Sequence, residues 1–290
     1  MDKYTFSAIG AGLLWGACGL FTRSLTALGF ATWGIVAVRC GIAALAFLLL
    51  ALITDRGALK IKPRDAWIFV GVGIVSMLFF TYCYFTAIEL MEMSTASILL
   101  YTAPCFVMLF SRIFFGDRIG VRGIVSLVLC IGGVALVSGI GGAISAQGFA
   151  FGMCSGIGYA LFSIFSRAAL NRGYKSVTIN FYGCAIASVG AMCFGGFAAP
   201  WRMAVSSGSA ALLTLGVGIL VCFLPYLLYT YSLTGTSNGM ASIMASVEPV
   251  MATVLGVIVY RDRLTVLSVC GIVLVLTAIV VMNSGKRKSE

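Results

Sequence analysis

Two charged side chains stand where a chain of this kind keeps almost none. The stretch Met240-Ala-Ser-Ile-Met-Ala-Ser-Val-Glu-Pro-Val-Met-Ala-Thr-Val-Leu255 is nearly all apolar or small, yet it sets the carboxylate of Glu248 beside the imino acid Pro249. Glu248 lies ten residues past Asn238 and twelve before Tyr260, so a helix places it about 15–18 Å from either end. A charge at such a depth in lipid costs roughly 2.5–3.5 kcal/mol or more. It must face a cavity, meet an opposite charge or take up a proton. Two roles stay open: substrate or proton coupling, or a structural bond to backbone freed by Pro249. Arg39 is the other charge well inside an apolar run, about 12 Å from the nearer helix end. It could pair with Glu248, meet an anionic group of a substrate, or run its head out to the lipid headgroups.

Around these charges the polar residues fall in matched places. Pro104 and Pro249 each remove one backbone hydrogen bond and bend their helices. Ahead of them, Ser94, Ser97 and Tyr101 share one helical face, as do Ser242 and Ser246. On an ideal helix Glu248 points about 160° away from Ser246, so only a bend brings it to the same wall. Tyr82 and Tyr84, Tyr226 and Tyr229, and the pair Trp15 and Tyr159 complete the candidate set. Most membrane Trp and Tyr form interfacial belts, and most Ser in lipid packs helices. A cavity walled by phenols and hydroxyls with little fixed charge nevertheless suits small amphipathic solutes, zwitterions and aromatics among them. It suits phosphorylated sugars poorly.

These residues need helices in lipid to position them. Of the 290 residues, 61% are hydrophobic and 10% charged, more apolar surface than one water-soluble core can hide. Asp occurs only at positions 2, 55, 65, 117 and 262, at the ends of long apolar runs. The runs predict ten spans, at about 4–23, 31–54, 66–88, 94–115, 119–140, 148–170, 177–199, 209–233, 238–260 and 264–283, each of the roughly 20 residues a bilayer requires. The first is longer than a signal-peptide core and reads as a retained helix. The 10 Cys are scattered singly, with no C-x-x-C spacing. With no His, the commonest metal ligand and general base are missing, and no paired carboxylates offer hydrolytic chemistry. The expectation is no enzyme, no cofactor and no metal.

Lys and Arg favour cytoplasmic loops. With both termini in the cytoplasm of a cell-membrane protein, that side holds Lys3, the loop with Arg56, Lys60, Lys62 and Arg64, the loop with Arg112, Arg118 and Arg122, Arg167, Arg172 and Lys175, and Lys286, Arg287 and Lys288. Only Arg23, Arg202, Arg261 and Arg263 fall outside. The net charge of +10 is then a topology signal, and nucleic acid is no partner. A shift of 145 residues lays Ala96-Ser97-Ile98 on Ala241-Ser242-Ile243, Tyr84 on Tyr229, Pro104 on Pro249 and Asp117-Arg118 on Asp262-Arg263. A shift of 144 lays Phe21-Thr22-Arg23 on Phe165-Ser166-Arg167. Each copy holds five spans, so the second enters the membrane upside down. Such inverted repeats build sites near the midplane and allow alternating access.

The pattern of a mid-helix proline, an acidic residue closing that helix and a Gly-bearing helix after it occurs as Pro104, Asp117-Arg118 and Gly123, and again as Glu248-Pro249, Asp262-Arg263 and Gly271. It resembles the EamA family of the drug/metabolite transporter superfamily over essentially the whole chain, and Arg39 fits that family too. Two departures stand out: the closing acid is Asp rather than Glu, and Cys184 occupies the position matching Arg39. The expected fold is an all-α integral membrane protein of ten helices in two inverted repeats, residues 1–145 and 146–290, forming one transport domain. The expected activity is secondary transport of a small metabolite, amino-acid-like solutes first, with export implied by the resemblance. The alternative is a proton-coupled exporter of lipophilic cations with Glu248 as counter-charge. The candidate substrate contacts are Trp15, Arg39, Tyr82, Tyr84, Ser97, Tyr101, Tyr159, Tyr226, Tyr229, Ser242, Ser246 and Glu248, and the partners are that solute and the lipid bilayer.

Overall fold

A computed structural model describes residues 2–91, 93–138, 145–261 and 265–284, leaving Asp262, Arg263, Lys286, Arg287, Lys288 and the side chain of Ser94 outside the described residues. Among the described residues nine helices are long and apolar enough to cross a bilayer. They are α1 (Lys3–Ala27), α2 (Thr32–Thr54), α3 (Pro63–Leu90), α4 (Thr95–Phe115), α6 (Ala146–Asn171), α7 (Ser176–Gly195), α8 (Gly208–Ser232), α9 (Asn238–Val259) and α10 (Val266–Asn283). The tenth, α5 (Val121–Ser138), is apolar over the shorter stretch Val121–Val137. A short helix, Ala199–Ala204, lies between α7 and α8. The starts follow from local chemistry. Asp2 accepts from the Thr5 amide, Ser145 from Gly148, Ser207 from Ala210, Ser237 from Met240 and Thr265 from Ser268, so each first turn has an orphan donor satisfied.

The repeat is visible in irregularities, which are harder to copy by chance than helices. Residues Gly71–Phe79 of α3 and Val217–Phe223 of α8, matched by the 145-residue shift, are both π-helical. In α4 the helix stops at Leu100 and restarts at Ala103; in α9 it stops at Ala245 and restarts at Glu248. The prolines therefore end one half-helix and open another rather than bending a continuous rod. Both occupy the second position of the new half, where the missing N–H costs nothing. The two broken helices also close alike, in left-handed residues at Gly116 (φ 72°) and Arg261 (φ 58°).

The halves are intertwined. α1 packs on α8 and α9, whereas α6 packs on α3 and α4, so each repeat lends its first helix to the other. Mates α2 and α7 lie face to face, as do α5 and α10. Close contacts repeat with the halves exchanged: a Cβ on Gly71 or Gly216 would strike Phe165 or Phe21, and one on Gly73 or Gly218 would strike Ile186 or Ile42. Small residues at these crossings let backbones approach, the usual basis of helix association in lipid. The stripe Gly183, Ala187, Ala191 and Gly195 does the same along α7, where the Ser188 hydroxyl donates to the Ala37 carbonyl at 2.8 Å.

The two ends of the bundle are fastened differently. At the end carrying the termini, Lys175 meets Asp55 at 2.7 Å, Arg172 meets Asp65 at 3.7 Å, and the Tyr174 hydroxyl donates to Asp65 at 2.7 Å. These tie the α2–α3 loop to the α6–α7 loop. The Lys175 ammonium and the Gly57 amide hold the Asp55 carboxyl below its usual range. At the far end the fastening is apolar: Pro200 lies against Gly34, the Trp201 ring against Gly41, and Ala204 joins Leu25 and Phe30 in a buried cluster.

Candidate functional site

The break in α9 decides where Glu248 points. With the helix interrupted at Ser246-Val247, Glu248 becomes the first residue of a new half-helix, where unbonded amides and the helix dipole favour a carboxylate. The Tyr159 hydroxyl donates to its Oε2 at 3.3 Å, and Tyr101 lies on the same wall beside it. The carbonyl of Ala245, which Pro249 cannot bond, lies against Gly12, and the carbonyls of Leu99 and Leu100 beside the Pro104 break lie against Gly156. Gly12 and Gly156 are mates at the 144-residue shift. Glycine at both places lets α1 and α6 cover the exposed carbonyls of the broken helices directly.

The two breaks face one small cavity of about 10 Å³, lined by Tyr101, Ala103, Pro104, Tyr159, Tyr229, Ser242, Ala245, Ser246 and Glu248. That is room for about one water, too little for a solute in this conformation. Ser246 and Glu248, which an ideal helix turns to opposite sides, share this wall because the chain changes course between them. Trp15 covers the cavity from α1, with its ring 6.2 Å from Tyr159, 5.3 Å from Tyr226 and 5.4 Å from Tyr229. Tyr84 and Ser97 bond each other at 2.9 Å, one turn from Tyr101.

Of the sequence candidates, Tyr101, Tyr159, Tyr229, Ser242, Ser246 and Glu248 line the cavity, and Trp15 and Tyr226 pack on it. Tyr82 does not: it is 48% exposed on the outside of α3 against Phe151, because the two-residue step from Tyr84 turns it to the opposite side. Arg39 neither pairs with Glu248 nor reaches toward headgroups. It lies among Cys18, Cys40, Cys222 and Tyr226, with Nη1 3.8 Å from the Cys18 sulfur. Missed from the sequence were Ala103 and Pro104, which the break turns into the wall, and Ser163, which bonds the Tyr229 hydroxyl at 2.6 Å. Ser163 stands four residues after Tyr159, so helical spacing alone could have found it.

The cavity is not equally closed at both ends. The halves of α4 and α9 toward the termini, Ala103–Phe115 and Asn238–Ala245, pack directly, with Gly239 against Met108. Among the described residues the opposite halves, Met93–Leu100 and Glu248–Tyr260, make no comparable contact and lie on α6 and α1. Arg167 reinforces the closed end by donating to the carbonyls of Leu233 and Thr236.

This architecture recurs in known proteins. A solved structure described only as a protein crystal structure superposes with a TM-score of 0.81, at 18% identity, over 99% of this chain and 98% of its own. An uncharacterized transporter of Archaeoglobus fulgidus is 25% identical over 198 residues, 68% of this chain and 70% of its own. Another, from Clostridium kluyveri, is 24% identical over 241 residues, 80% of this chain and 76% of its own. The EamA-like transporter family matches twice, over residues 3–139 and 146–284, one match for each set of five helices. The chain is a multi-pass membrane protein and belongs to the EamA-like transporter family, a transporter and not an enzyme.

Proposed function

We propose that the protein is a secondary transporter that exports small amphipathic metabolites, amino acids foremost, by alternating access around the Tyr101 and Ser246 breaks. Residues 1–145 and 146–290 act as one transport domain in the cell membrane, with both termini cytoplasmic. The observation that carries the reading is the convergence on one cavity of helix breaks from both repeats, with the Glu248 carboxylate bonded by Tyr159 and with Tyr101 on the same wall. Half-helix ends and unwound backbone at a repeat interface are how transporters bind polar groups in lipid. The phenols and Trp15 give an apolar, π-rich wall for the body of a solute, while Ser97, Ser242 and Ser246 offer hydroxyls for its polar head. Rocking the packed halves of α4 and α9 apart while the opposite halves close would expose the same cavity to the other face.

Glu248 as the one carboxylate on this wall also supports a second reading, proton-coupled export of lipophilic cations. Counterflow in proteoliposomes distinguishes the two. Preloading with unlabelled phenylalanine should accelerate uptake of labelled phenylalanine and leave labelled tetraphenylphosphonium unaffected; the reverse result would replace the first reading with the second.

A further inference from the structure

We infer that Arg39 is an anion-recognising group of the transport pathway, so that the solute carries a carboxylate. This rests on the transporter reading above and narrows its substrate class. Arg39 sits eight residues into α2, between Val38 and Cys40, which are buried. Its Nε is buried with no hydrogen-bond partner, and Nη1 has only the soft sulfur of Cys18. Its other polar neighbours are the neutral thiols of Cys40 and Cys222 and the phenol of Tyr226. No carboxylate pairs with it among the described residues; the two ion pairs found there join loops at the terminal end.

A guanidinium at this depth is costly, and proteins keep one there when something anionic meets it. Neutral thiols cannot supply that charge. The planar fork of Arg is matched to a carboxylate, which takes two parallel N–H donors. The link from Arg39 to the cavity runs through α1: Cys18, 3.8 Å from Nη1, stands three residues after Trp15, whose ring touches Tyr226 at 5.3 Å and covers Tyr159 and Tyr229. An aromatic floor thus runs from the guanidinium to the Glu248 cavity. The mate position is Cys184, so the repeat symmetry is broken here: one half supplies the cation and the other supplies the carboxylate Glu248, whose mate is Ala103. A passing lipophilic cation would meet an unscreened positive charge on this floor.

The test uses purified full-length protein and four probes: phenylalanine, phenylpyruvate, phenylalaninamide and phenethylamine. Binding is read by thermal shift and by displacement of labelled phenylalanine. The two carboxylates should bind wild type and weaken at least tenfold in Arg39→Gln, whereas the amide and the amine should bind poorly to both. Unchanged carboxylate binding in Arg39→Gln, or an amine that binds as well as phenylalanine, overturns the inference. If no probe binds wild type, the amino-acid reading fails, and the unliganded melting temperature of Arg39→Met judges Arg39 separately. An unpaired guanidinium predicts an equal or higher Tm, because burying a charge without a partner is unfavourable; a clear fall would make Arg39 a structural strut and end the inference.

Discussion

Removing the Glu248 carboxyl should separate its structural from its functional role. Two contacts hold it: a hydrogen bond from Tyr159 at 3.3 Å and the cavity wall it shares with Tyr101. The first is long for an O–H···O bond, whose usual length is about 2.7–2.8 Å, so it belongs at the weak end of the range. Glu248→Leu leaves the Tyr159 phenol without its acceptor, at a cost of about 1–3 kcal/mol. It also removes a carboxyl from the start of a half-helix, about 0.3–1 kcal/mol more. Relief of the carboxyl's own burial offsets part of this, so a net loss of about 1–3 kcal/mol is expected. At about 2–4 °C per kcal/mol for a chain of this order, the Leu variant should melt roughly 2–12 °C below wild type. Glu248→Gln keeps an acceptor oxygen and should stay within about 4 °C on the same scale. Both are read by intrinsic-fluorescence melting in detergent, alongside vesicle uptake under an imposed pH gradient. If the carboxyl takes part in coupling, Glu248→Gln is folded but its uptake no longer responds to the gradient. A Leu variant as stable as wild type would refute the bonding geometry. A fully active, gradient-responsive Gln variant beside a destabilised Leu variant would leave Glu-Pro as architecture alone.

Three further expectations follow from the same geometry. Arg261 closes α9 at φ 58° where its mate is Gly116; left-handed backbone costs a non-glycine residue about 1–2 kcal/mol, so Arg261→Gly should raise Tm by a few degrees, and a lower Tm would show that the side chain itself holds that end. The Asp55 carboxyl is held low by Lys175, so its contribution is complete above the ordinary carboxylate range and is lost as pH falls through its folded value. Hydrogen exchange, corrected for intrinsic rate, should then show the Asp55–Asp65 loop losing protection below about pH 4 and already unprotected at pH 7 in Lys175→Met; a loop indifferent to both changes contradicts the clasp. Single cysteines at Lys60 and Arg261 should react with an impermeant maleimide from opposite faces of the membrane, Lys60 from the cytoplasm, and labelling of both from one face would break the inverted topology.

Much of this architecture is written in the chain. Ten apolar runs, the Asp residues at their ends and the two shifts of 144 and 145 residues give helix count and repeat, since lipid admits few alternatives. Cavity-lining positions on regular helix were legible by spacing: Tyr159, Tyr229 and Ser242 all reach the cavity. Failures occurred where backbone departs from the ideal helix. Pro249 reads as a kink, but whether it bends a helix or opens a new one depends on Gly12 allowing α1 to cover the freed Ala245 carbonyl, a contact more than 200 residues away in sequence. The same change of course brings Glu248 beside Ser246 and makes Ala103 and Pro104 part of the wall. Tyr82 lies away from the cavity for the opposite reason: it is on regular helix, and its spacing from Tyr84 already turns it outward. The π-helical segments carry no signal a periodicity search would detect, because both read as ordinary apolar runs.

Reciprocal motion of the broken helices is the core of the account, and paired spin-label distances measure it directly. One pair, at Phe114 and Ser237, reports the packed ends of α4 and α9; the other, at Ile98 and Val259, reports the separated ends. Both are recorded in a cysteine-free background in lipid nanodiscs, with and without saturating phenylalanine. Alternating access predicts two populations in each pair, with phenylalanine shifting them in opposite senses, so that the 114–237 distance lengthens as the 98–259 distance shortens. Distances that lengthen together, or a single unmoving population at both ends, would contradict it.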